Sequence, residues 1–306
     1  MHPDDEPDPA ETAPESQPES PSEPTPAGPF YARGLDVLHP DDVEDDDPDD
    51  GGEYDLDEDD DDENDVRTVL ITGASGNIGR KLAAAWKDVY DLVLIDTDED
   101  PANDVIQADL ADPVEGWLTH FHGVDAVVHL AGNPDPEADW GDVQGPNLDG
   151  VANVLHAAAL TGVERVVFAS SNHVMGGYKG VGDGPITADL PPKPDGAYGA
   201  SKLMGERLGQ SLSRVFDLSF VALRIGANLD GENDPSAITD DWDRRLWLSD
   251  RDLVRLFECA VEADLEGRPF VVVNGTSRNQ GSRWDLGPAA ELLGYEPEDD
   301  AYAERT

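Results

Sequence analysis

The chain has 306 residues and carries 68 acidic against 20 basic side chains, a formal net charge of -48. A surface of that sign repels phosphates and anionic lipid, which argues against nucleic acid and membrane surfaces as partners. The one cysteine, Cys259, rules out an internal disulfide and a cysteine-based metal cluster; with no apolar run as long as a membrane span and no secretion-type N-terminus, a cytoplasmic protein without a metal site is expected.

Residues 1–66 hold 27 acidic residues and one basic residue, Arg33. A Pro/Glu/Ser-rich stretch at 3–29 and an acidic one at 41–65 cannot bury enough apolar surface to offset chain entropy, so residues 1–65 are expected to form a disordered tail. The other 240 positions still carry 41 acidic and 19 basic residues. Such an excess suits a protein kept soluble in concentrated salt, which screens its self-repulsion, and a halophilic source is the expectation.

From Val66 onward short apolar runs alternate with amphipathic segments, the pattern of βαβ units around a parallel sheet. Strands are predicted at 69–71, 92–95, 105–106, 126–130, 166–169, 220–223 and 270–273. Helices are predicted at 77–86, 151–160, 198–214, about 250–263 and near 288–293. The fold class is therefore α/β: a Rossmann doubly wound parallel sheet over 66–306, with a small C-terminal substrate lobe mainly at 225–306.

Directly after the first strand, Gly73, Gly76 and Gly79 are spaced G-x-x-G-x-x-G and run into the first helix. A turn without Cβ atoms lets backbone N–H groups at Asn77 and Ile78 face a pyrophosphate, while Gly79 lets the helix close on the sheet. Asp96 ends the second strand in the register of a carboxylate that holds an adenosine ribose. Asp98, Glu99 and Asp100 follow with no cation among them, so a 2′-phosphate would find no partner there, and NAD is expected as cofactor.

Tyr198 and Lys202 form a Y-x-x-x-K at the start of a helix, one turn apart on one face. An ammonium beside a phenol favours the phenolate, so Tyr198 is expected to have a lowered pKa and to act as the base that takes a hydroxyl proton. Ser171, at the end of the fifth strand, lies at the carboxyl edge of the sheet, where it would hold the reacting oxygen.

The glycine turn, the run 129–132, Ser171 and the Tyr198/Lys202 pair resemble the extended short-chain dehydrogenase/reductase, or NAD-dependent epimerase/dehydratase, family. The resemblance covers 66–306. It implies that Asp109 and Leu110 contact adenine, that Leu130, Ala131 and Gly132 line the nicotinamide ribose, that Tyr198 and Lys202 also touch the cofactor, and that Asn147 supports the site. Within the family, the stretches 168–173, 194–199, 224–226 and 247–249 resemble uronate dehydrogenases and the archaeal NAD-dependent glucose-6-phosphate dehydrogenases. Both groups oxidise the C1 hydroxyl of a pyranose to a lactone. The run 129–140 is more similar to the archaeal group, because uronate dehydrogenases place a substrate-facing serine where this chain has Pro134.

Dehydratases of the family carry an acid pair where this chain has Asn172 and His173, which argues against dehydration and leaves both side chains to hydrogen-bond a sugar. Arg224, at the end of the sixth strand, is expected to aim a guanidinium into the cleft toward a carboxylate or phosphate, the alternative being a structural salt bridge that ties down a loop. Lys179, Arg244, Arg245 and Arg251 are weaker candidates. The expected activity is NAD-dependent oxidation of an anionic hexose, a sugar phosphate or a uronate, at C1. A nucleotide-sugar epimerase and a non-catalytic NAD-sensing scaffold stay open as alternatives, as does assembly into a homo-oligomer.

Overall fold

A computed structural model describes residues 66–303; the tail expected at 1–65 lies outside the described residues. Seven strands, β1 (Thr68–Thr72), β2 (Asp91–Asp96), β3 (Val105–Gln107), β4 (Ala126–His129), β5 (Arg165–Ser171), β6 (Ser219–Ile225) and β7 (Phe270–Gly275), form one sheet in the order β3-β2-β1-β4-β5-β6-β7. All six pairings are parallel. The longer helices are α1 (Asn77–Trp86), α3 (Gly150–Thr161), α4 (Ala197–Leu212), α6 (Asp250–Glu262) and α7 (Gly287–Leu293), with one-turn helices α2 (Trp140–Val143) and α5 (Asp241–Arg244) between them.

Side chains alternate across the sheet, so each strand feeds two cores. Val69 and Ile71 of β1 join Leu82, Trp86, Phe257 and Leu293 on the face covered by α1, α6 and α7. Leu70, Val127, Phe168 and Phe220 point the other way, against Val154 and Leu155 of α3. Gly162, with φ +76°, ends α3 in the left-handed conformation and turns the chain into β5. Gly205 and Gly209 let α4 approach closely: a Cβ at either would lie 2.7 Å from Phe168 Cζ or 2.4 Å from Phe220 Cζ.

The stretch expected as a C-terminal lobe divides its labour. β7, α6 and α7 complete the main sheet and its layer, because the apolar run 270–273 pairs along β6. The loop after β6 and the chain near Trp284 gather over the strand ends instead, around a small core of Val174, Met175, Ile186, Leu246 and Trp284. Among the described residues no helix is long and apolar enough to cross a membrane.

Candidate active site

The chain leaves β1 toward β2 on one side and returns through β4 on the other, which opens a crevice beyond their carboxyl ends. A cleft of about 1440 Å³ occupies this edge of the sheet. Gly73, Gly76, Asn77, Ile78, Gly79, Asp96, Asp109, Leu110, Leu130, Ala131, Gly132, Ser171, Asn172, His173, Tyr198 and Lys202 all line it. Arg224 does not.

The glycine turn is shaped for a dinucleotide. Gly73 has φ +70° and packs so closely on the β4 end that a Cβ would lie 2.7 Å from Ala131 N. At Gly79 a Cβ would fall 2.2 Å from Gly73 O, so the first turn of α1 can close on the turn only without a side chain there. No side chain caps α1, whose N-cap is Gly76; its first amides are left for an anion. Asp96 accepts from Ser75 N at 2.9 Å, which fixes its carboxylate beside the turn. These features fit NAD: the Asn77 and Ile78 amides could hold its pyrophosphate and Asp96 its adenosine ribose. One cation escaped the sequence reading: Arg80, a turn into α1, donates to Ser75 O and to Asp230 Oδ1.

The β4 edge is held by a buried polar knot. Thr72 Oγ1 accepts from Leu130 N and Ala131 N, both at 3.2 Å, and lies 2.8 Å from His129 Nδ1. With its lone pairs taken, the Thr72 hydroxyl donates to His129, which stays neutral: burial and then the charge of Lys202 push its pKa down to about 3. Asn147 lies not in an α-helix but in the π-helical turn Gln144–Asp149. Its Oδ1 accepts from Asn133 N at 2.6 Å and its Nδ2 donates to Ser201 Oγ at 3.1 Å, which ties the strand end to α4.

Tyr198 and Lys202 project from the first turns of α4, and Lys202 Nζ lies 5.8 Å from the Tyr198 ring centroid and 5.1 Å from that of Phe168. Burial pushes the Lys202 ammonium down to about 8. Burial also raises the Tyr198 phenol, against a smaller lowering by its hydrogen bond with Ser171. This reverses the lowered phenol expected from the Tyr198/Lys202 spacing. In the protein alone desolvation of the phenolate outweighs the Ser171 hydrogen bond, so Tyr198 is held protonated, ready to hydrogen-bond a substrate oxygen.

Ser171 ends β5 and caps the turn Asn172–Tyr178 by accepting from His173 N at 3.1 Å. Asp195, which the sequence reading missed, takes His173 Nδ1 at 3.0 Å, and the imidazole stands edge-on to the Tyr198 ring, centroids 5.7 Å apart. The pairing leaves the other ring nitrogen for the cleft. A short-range signal for Asp195 existed: it sits on the approach to Tyr198, opposite Gly176 and Gly199, where an added Cβ would meet it.

Arg224 corrects the expectation that it receives the substrate's anion. On β6 it shares the face of Phe220 and Ala222, the face α4 covers, and there it meets Glu206, one helical turn beyond Lys202. The guanidinium donates from Nε and Nη2 to the two Glu206 oxygens, both at 2.8 Å, and from Nη1 to Ala188 O at 3.0 Å. Ser170 Oγ donates to the same carboxylate at 2.6 Å. Arg224 is 2 % exposed and fully used. Of the weaker candidates Lys179 lines the cleft; Arg244, Arg245 and Arg251 bond Ala301 O, Asp241 and Asp299 outside it.

Residues 69–242 match the model of the NAD dependent epimerase/dehydratase family, and the chain belongs to that family. It is 35% identical over 253 residues to an NAD-dependent glucose-6-phosphate dehydrogenase of Haloferax volcanii, with 76% of this chain and 94% of that protein covered. An L-arabinose 1-dehydrogenase (NAD(P)(+)) from the same organism is also 35% identical, with 76% and 97% covered. Among solved structures, a uronate dehydrogenase from Agrobacterium tumefaciens complexed with NAD is 31% identical, covers 77% of this chain and 86% of its own, and superposes with a TM-score of 0.65. NAD is the cofactor of this chain.

Proposed function

We propose that this chain is an NAD-dependent sugar dehydrogenase that oxidises the C1 hydroxyl of an anionic hexose, a sugar phosphate or a uronate, to the lactone. The observation that carries the reading is that Ser171, Tyr198 and Lys202 stand in the same cleft as the glycine turn and Asp96. NAD, when bound, supplies the hydride acceptor. Ser171 and Tyr198 bind the reacting hydroxyl, and Tyr198 takes its proton. Lys202 supplies positive charge that favours the phenolate as that proton is drawn in. Asn172 and His173, the latter oriented by Asp195, hold the sugar's remaining hydroxyls. Leu130, Ala131 and Gly132 shape the nicotinamide end of the cleft, and Asp109 and Leu110 the adenine end.

The names of the relatives support a sugar without an attached nucleotide as substrate, and that of the L-arabinose 1-dehydrogenase supports C1 as the oxidised centre. Epimerisation is the weaker reading, since the chain beyond β6 is spent largely on β7, α6 and α7 and leaves little to enclose a nucleotide. The acidic composition supports a further part of the proposal, adaptation to concentrated salt; residence in the cytoplasm is proposed with it. Residues 1–65 are proposed as a solubility or partner-binding element not needed for catalysis, so their deletion leaves turnover unchanged.

The test is NADH formation at high salt with glucose 6-phosphate, glucuronate, galacturonate, uncharged aldoses and UDP-sugars. At least one anionic hexose is turned over, and Tyr198→Phe lowers kcat by roughly 100-fold or more. Interconversion of a UDP-sugar with no net NADH would establish the epimerase instead.

A further inference from the structure

With Arg224 consumed by Glu206, the cleft needs another cation if its substrate is an anion. Its wall is acidic: Asp195, Asp240 and Asp243 all face the sugar end, and a carboxylate or phosphate entering among them unpaired would be repelled. Two ammonium groups line the cleft, those of Lys202 and Lys179. Lys202 is 5 % exposed and committed to the Tyr198 end. Lys179 follows the turn that begins at Ser171, and reaches across to the opposite wall, where Nζ lies 3.2 Å from Asp240 and 3.6 Å from Asp243 on and beside α5.

The two arginine and lysine pairs differ in what it costs to exchange their partner. Glu206–Arg224 is sealed, with side chains 1% and 2% exposed, and breaking it would strand a buried charge. Lys179 and its two aspartates are about half exposed, and pairs of that kind hold their partners weakly. An incoming oxyanion can therefore take Lys179 from Asp240, whose carboxylate returns to water and to the backbone amide of Asp243, 3.1 Å away. Trp242 lies between those aspartates in the chain and also lines the cleft, with the Arg283 guanidinium 5.7 Å from its ring centroid.

We propose that Lys179 is the specificity-determining contact for the anionic group of the sugar, and that Asp240 and Asp243 hold it in place until the substrate arrives. The inference rests on the dehydrogenase reading above and adds to it the residue that separates charged from uncharged sugars.

The experiment compares glucose 6-phosphate and glucuronate with uncharged glucose in the wild type, Lys179→Met, Lys179→Arg and Asp240→Asn. Steady-state NADH formation is measured together with calorimetric titration of each sugar into the NADH-loaded protein. Lys179→Met is expected to raise KM and Kd for an anionic sugar at least tenfold more than for glucose, with kcat changed less than KM. Lys179→Arg restores most of the difference, and Asp240→Asn, which removes the competing carboxylate, tightens the anionic sugar. Equal loss for charged and uncharged sugars, or no loss for either, overturns the role of Lys179 and leaves the dehydrogenase standing. Charge-selective binding that depends on Lys179, without turnover of any sugar, leaves Lys179 standing and overturns the dehydrogenase.

Discussion

Lys202 is buried with aromatic rings around it and, among the described residues, no carboxylate in an ion pair with it, so the folded state carries an ammonium whose pKa is pushed down to about 8 from 10.5. A lysine with a depressed folded pKa binds fewer protons folded than unfolded between pH 8 and 10.5. Stability therefore rises with pH through that window, and the penalty is present in full below it. Lys202→Met removes it: the unliganded protein is expected to gain roughly 1–3 kcal/mol near neutral pH while sugar oxidation collapses. Chemical denaturation at pH 7 and pH 10 checks this, since the gain should shrink at the higher pH. Tyr198 works in the same direction for activity. Its phenol is raised by burial, so the base form gains population as the medium becomes alkaline and oxidation should accelerate with pH. A kcat/KM profile that failed to rise between pH 6 and pH 7.5, below the range in which Lys202 loses its charge, would contradict Tyr198 as the base.

Arg224 makes the complementary case, a charge the fold satisfies completely. Arg224→Met alone strands Glu206 and should cost about 3–5 kcal/mol, whereas Glu206→Leu with Arg224→Met should recover most of that loss. The cycle is read from urea midpoints of the four proteins. If Arg224→Met cost nothing in stability but raised the KM for an anionic sugar alone, the arginine would be a substrate contact after all.

At the level of elements, α4 carries the chemistry because two glycines let it lie against the sheet. Gly205→Ala would gain up to about 1 kcal/mol on helix propensity in an open helix. Here the new Cβ meets Phe168 Cζ at 2.7 Å, and overpacking of roughly 1–3 kcal/mol reverses the sign. Because Lys202 and Tyr198 sit one and two turns up the same helix, the displacement should lower kcat as well as the melting temperature. The strands and the long helices could be read from alternation and periodicity, and the glycine turn, Asp96, Ser171, Tyr198 and Lys202 from fixed local spacing. What escaped depended on pairing across elements. Arg224 was assigned to the cleft from its place near a strand end, although its parity with Phe220 and Ala222 already put it under α4. Asp195 found His173 only through the fold. The π-turn around Asn147 has no periodic signature of its own, and the link from Asn77 and Lys81 in α1 to Asn228 beyond β6 joins residues far apart in sequence.

At the scale of the whole molecule, charge acts twice, on folding and on the substrate's approach. Beyond residue 66 the chain holds 41 acidic and 19 basic residues, and many of the basic ones are already spent in ion pairs such as Lys81–Asp250, Arg251–Asp299 and Arg255–Glu298. The unpaired excess repels itself over distances that salt shortens, from about 30 Å at 0.01 M to about 3 Å at 1 M. Melting temperature is therefore expected to climb with sodium chloride from dilute buffer to the molar range; a protein equally stable at both ends would not be salt-adapted. The same field opposes an approaching anionic sugar at long range, although Lys179 attracts it at contact. Raising ionic strength from 0.01 to about 0.15 M should then increase kcat/KM for glucose 6-phosphate more than for glucose, once both are measured with the protein fully folded. Equal salt responses for the two sugars would mean that the acidic surface does not reach the cleft, and that its effect is confined to folding.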